Sequence, residues 1–129
     1  MARKTTNYTI ATDNRDKGKI FVITEMGAAQ SAKFARRAMG SIARSGYIPD
    51  AMLGQGIVGM ADAGFAAMFF CTDADELLDE LLACAKVKTP AGMRDIIESD
   101  IEEASTINEL QLEAYKLIVG FSTAAPIQD

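Results

Sequence analysis

Five carboxylates, Asp95, Glu98, Asp100, Glu102 and Glu103, fall within nine positions of this 129-residue chain. Grouped carboxylates can hold a divalent cation or share a proton as an acid–base pair. Neither role finds support around them, because no imidazole, lysine or aromatic pocket accompanies the group. It reads as the solvated start of a helix, where acids suit the dipole. The chain has no His at all, which removes the Ser-His-Asp arrangement, most zinc sites and the commonest general base. Cys71 and Cys84 stand thirteen positions apart with no CxxC, a pattern of two buried reduced thiols in a reducing compartment. Gly54, Gln55, Gly56 and Gly59 resemble a phosphate loop, but no Lys-Ser/Thr pair follows them. No catalytic, metal or cofactor residue is assigned, and the protein is not expected to be an enzyme.

The other charged constellation is basic. Lys33, Arg36, Arg37 and Arg44 share one face of a segment whose apolar residues, Phe34, Ala35, Ala38, Met39 and Ile42, recur at helical spacing. Residues 1–46 hold nine Lys or Arg against three Asp or Glu, a net of +6, and residues 47–129 hold four against fifteen, a net of −11. Such a dipole can be satisfied within the fold, between copies or by a charged partner. A nucleic-acid role is disfavoured by the overall charge of −5.

These residues need elements to position them. KTTNYTIA at 4–11 favours an extended conformation, TDNRDKGK at 12–19 is rich in turn formers, and Ile20–Thr24 follows as a strand. The first quarter therefore reads as a β-hairpin. Its loop residues Arg15, Lys17 and Lys19 read as solvated, with contact to a polyanion as the alternative. The basic helix runs from Gly27 to a stop at Gly46, with Pro49 beyond.

Residues 51–71 contain one charge, Asp62, four Gly, and Met52, Met60 and Met68 at steps of eight. Gln55 and Asp62 inside the window and acidic flanks argue against a membrane span. It reads as a buried helix or as a segment that orders on assembly. Asp73 and Glu76 form a capping-box pattern ahead of a helix through Lys86, with Leu77, Leu78, Leu81, Leu82 and Ala85 as its stripe. Residues 87–97 form a small hairpin or a loop around Pro90, Ala91 and Gly92. Ser99 with Glu102 suggests another capping box, before a last helix whose Ile107, Leu110, Ala114, Leu117 and Phe121 step by three and four until Gly120 ends it. The expected architecture is α+β and mostly helical: an N-terminal β-hairpin, about four helices, and either a second small hairpin or a loop near 87–97. One domain is expected over 1–121, with a mobile C-terminal tail over 122–129. The N-terminus shows no apolar stretch of a secretory signal.

Two blocks carry a family resemblance. Asp16 to Met26 with the helix through Arg36, Arg37 and Ala43-Arg44-Ser45-Gly46 is the first, and Ile101-Glu102-Glu103 leading to Gly120-Phe121 is the second. Together they resemble small proteins of tailed-bacteriophage tail gene cassettes, the tail assembly chaperones. Gly27 stands where Pro is expected, Phe34 where Trp is usual, and Leu117-Ile118-Val119 where a His is often found. The resemblance implies a non-catalytic helper in the host cell cytoplasm that binds the tape-measure protein and tail-tube subunits and self-associates as a homo-oligomer. No nucleic-acid or membrane partner is implied. Ile57, Met60, Phe65, Met68 and Phe69 are the expected apolar contacts, and Arg36 and Arg37 the residues that steer an acidic partner. The alternatives are a structural virion component (tail terminator, joining or decoration protein) and a small phage effector that binds a host protein.

Overall fold

The computed structural model describes residues 4–46 and 64–123, with side chains described as far as Val119. Strands β1 (Thr5–Thr9) and β2 (Ile20–Thr24) form the expected hairpin, paired so that Tyr8 faces Phe21 and Asn7 faces Val22. Helix α1 (Ala28–Arg44) follows and buries Phe34, Ala35, Ala38, Ser41 and Ile42. Gly46, at φ +92°, ends it in a left-handed conformation that costs glycine nothing. Next come the short helix α2 (Gly64–Met68) and helix α3 (Ala74–Leu82). A second hairpin, β3 (Ala85–Thr89) and β4 (Gly92–Asp95), precedes a 3-10 turn at Glu98–Asp100 and helix α4 (Ala104–Thr123). The architecture is α+β, with four α-helices and four strands among the described residues.

All described strand pairs are antiparallel and the sheet order is β1-β2-β3-β4, so the described helices α1, α2 and α3 fall in the chain between neighbouring strands β2 and β3. Alternation decides which side of the sheet they cover. Phe21 and Ile23 of β2 and Ala85 and Val87 of β3 sit in register and join one core with Ile10, Phe34, Ile42, Met68, Leu77, Leu81 and Leu110. The opposite side carries Ile20, Val22, Lys86, Lys88 and Met93.

Several local expectations are corrected. Helix α3 stops at Leu82, short of Lys86. Its apparent last apolar residue, Ala85, belongs to β3 and pairs with Ile23, because buried Ala85 and Val87 alternate with exposed Lys86 and Lys88 and the edge of β2 satisfies their backbone. The Asp73 side chain makes no cap bond. Arg44 Nη2 donates to its Oδ2 at 2.6 Å, and the Asp73 N–H instead donates to the buried Ser41 Oγ at 2.8 Å. Ser99 and Glu102 do not start a helix either, since residues 98–100 form the 3-10 turn and α4 begins at Ala104. Gly120 does not end α4, which continues to Thr123. Of the 51–71 window, only residues 64–71 are described. No described helix is long and apolar enough to cross a membrane.

Candidate functional site

The five-carboxylate run is the first constellation to test, and three-dimensional pairing disperses it. Asp95 is bonded by Lys86, and Asp100 takes Arg94 through two parallel bonds of 2.8 Å. Arg94, helped by the Ile97 N–H, holds the Asp100 carboxyl at about 2. Glu103 accepts Arg15 Nε at 2.9 Å, and the same guanidinium reaches Glu102 at 3.5 Å. Among the described residues no group of three or more His, Cys, Asp or Glu is placed to hold a metal ion.

The hairpin loop is largely exposed, as expected, but it holds a lock built on Asp16, to which the sequence pattern assigns no role. This carboxylate is fully buried. It accepts Lys19 Nζ at 2.7 Å, Thr106 Oγ1 at 2.6 Å, the Glu102 N–H at 3.0 Å and the Glu103 N–H at 2.9 Å. The cap of α4 thus comes from a residue about ninety positions earlier in the chain. Burial alone would push the Asp16 carboxyl up, but the bonds from Lys19, Thr106 and the two backbone N–H groups hold it well below the usual range. Lys19 also donates to the Asp100 carbonyl at 2.9 Å. Lys19 is therefore tied into the fold, which corrects the solvated reading for it, whereas Arg15 pairs with Glu103 and stays largely exposed, as Lys17 does.

Large apolar side chains are exposed at Ile20, at Met93 and Ile97 in and just after the second hairpin, and at the turn that leaves α2. Phe69 is 39% exposed and Phe70 82% exposed, on the turn that leaves α2. The Phe69 N–H donates to the Ala66 carbonyl and the Phe70 N–H to the Ala67 carbonyl, both at 3.1 Å. These tight bonds end the helix while Met68 and Cys71 on either side point into the core. Phe65 backs the pair: its ring meets Phe69 edge-on at 5.2 Å and Tyr115 of α4 at 5.3 Å. Two adjacent aromatics on a braced turn offer a contact surface with no chemistry of its own.

The seven expected contact residues do not form one site. Ile57 and Met60 lie outside the described residues. Phe65 and Phe69 come together, but Met68 is fully buried and can only support the turn from below. Arg37 is ion-paired with Glu80, whereas Arg36 is exposed and makes no ion pair among the described residues. Arg44 is likewise engaged by Asp73. Part of the charge split is thus satisfied inside the molecule. Phe70, the most exposed of the large apolar residues described, was missed because hydropathy treats Phe69 and Phe70 alike. Cys71 is buried and Cys84 only half-buried, and their thiols donate to the Met68 and Glu80 carbonyls respectively.

No family model, curated protein or solved structure matches the chain.

Proposed function

We propose that this protein is a non-catalytic tail assembly chaperone of a tailed bacteriophage, which binds the tape-measure protein and tail-tube subunits in the host cytoplasm and self-associates. The resemblance of residues 16–46 and 101–121 to such proteins supplies the identity of the partners. The observation that carries the binding role is the exposed pair Phe69 and Phe70 on the turn that leaves α2, where Phe69 packs on Phe65 and Phe65 in turn meets Tyr115. Large aromatics of this kind contribute most of the energy in protein interfaces. Arg36 remains available to meet an acidic neighbour.

Co-expression with the tape-measure protein of the same genome tests the reading. A complex should be recovered from the wild type, and Phe70→Ser should weaken it by about tenfold or more. Mass spectrometry of purified virions should find the protein absent. Its presence there would favour the structural-component reading, and capture of a host protein with indifference to tail proteins would favour the effector reading.

A further inference from the structure

The turn that carries Phe70 runs straight into the most acidic helix described. Four of the nine residues of α3 are acids, Asp75, Glu76, Asp79 and Glu80. At 100° per residue they gather on one side of the helix, opposite the buried Leu77, Leu78 and Leu81. Glu80 is engaged by Arg37 and by Gln30. Asp75, Glu76 and Asp79 are exposed and make no ion pair among the described residues. Elsewhere Asp16, Asp73, Asp95, Asp100 and Glu103 each have a cation, while Glu109 is met by the Tyr8 and Thr12 hydroxyls and Glu98 makes no ion pair among the described residues. The helix dipole accounts for acids in the first turn, but Asp79 lies beyond it. A shallow cleft lined by Cys71, Thr72, Asp73, Asp75 and Glu76 follows directly on Phe70. Along residues 69–79 the exposed Phe69 and Phe70 are therefore followed in the chain by Asp75, Glu76 and Asp79, which have no ion pair among the described residues, while Asp73 between them is answered by Arg44.

We infer that this strip receives an amphipathic helix of a partner protein whose apolar stripe is bordered by Lys or Arg. Phe69 and Phe70 meet the stripe, and Asp75, Glu76 and Asp79 meet the basic border. Complementary charge of this kind sets which partner is accepted and how fast it arrives, while the aromatics set how long it stays. The inference deepens the chaperone reading and rests on it only for the identity of the natural partner.

Two synthetic helical peptides of about 20 residues, with the same leucine stripe bordered by Lys and Arg in one and by Glu in the other, provide the probes. Fluorescence anisotropy against the full chain should show the basic peptide binding about tenfold or more tightly than the acidic one. Phe70→Ser should weaken the basic peptide by about tenfold. The triple variant Asp75→Asn, Glu76→Gln, Asp79→Asn should weaken it by roughly threefold to tenfold, and raising salt from about 50 to 300 mM should erase that difference. Circular dichroism confirms that both variants keep the fold. Equal binding of the two peptides, or a triple variant that binds like the wild type, overturns the inference. Tape-measure capture that is lost in Phe70→Ser but indifferent to the triple variant also overturns it, and leaves the chaperone reading standing. Preference for the basic peptide without any capture of tail proteins supports the inference and removes the chaperone reading.

Discussion

The hairpin loop around Asp16 and the turn around Phe70 solve opposite problems. At the first, a charged group has been taken wholly out of water and every nearby donor turned toward it. At the second, two large apolar rings have been left in water although a core that buries Met68 lies directly beneath. A buried carboxylate is tolerated only where its bonds are complete, so the Asp16 region has one acceptable arrangement and is expected to be rigid. Phe69 still packs edge-on against Phe65, but the Phe70 ring, 82% exposed, gains little for the isolated chain. The contrast separates a region shaped by folding from a region shaped by association.

The largest test of that contrast is Asp16→Ala. It leaves Lys19, Thr106 and the Glu102 and Glu103 N–H groups without their acceptor, and urea unfolding should show a loss of about 3 kcal/mol. A loss no larger than that of an ordinary surface substitution would break the comparison. Next is pH. Asp100 is held at about 2 in the folded protein against an ordinary 3.8. A folded value below the unfolded one stabilises fully above about pH 4 and is lost as pH falls toward 2. Together with Asp16, shifted in the same direction, this should appear as a decline in unfolding free energy on acidification. The Asp100 share is about 1–2 kcal/mol, and Arg94→Met removes the largest part of it, leaving what the Ile97 N–H and Lys19 supply. The smallest effect is the most telling: Phe70→Ser should change stability by less than about 0.5 kcal/mol. A substantial loss of stability would mean that the ring serves the fold, and the contrast would collapse.

Much of the local structure was legible along the chain. Phe34, Ala38 and Ile42 at steps of four marked the buried face of α1, and Gly46 marked its end, because both signals act within a few residues of the position they control. The hairpin ahead of it and the small hairpin around Pro90 were readable for the same reason. Legibility failed where a distant group competed with a local one. Asp73 looked like the cap of α3 until Arg44 drew its side chain away. Ala85 continued the leucine stripe of α3 by spacing, yet the edge of β2 recruited it into the sheet. Among the expected contact residues, Phe65 and Phe69 meet as ring neighbours. Periodicity gave no means to separate buried Met68 from exposed Phe70, since both are apolar and two positions apart at a helix end.

The amino-acid order alone determined the first hairpin, the buried face and the end of α1, and the separation of basic from acidic halves, because those depend on spacing and composition. Only tertiary structure decided that Asp16 closes the start of α4, that Arg37 and Arg44 answer Glu80 and Asp73, and that Phe70 faces water while Met68 does not. Each of those outcomes depends on what a side chain meets across the fold, and no pattern confined to neighbouring positions carries that information.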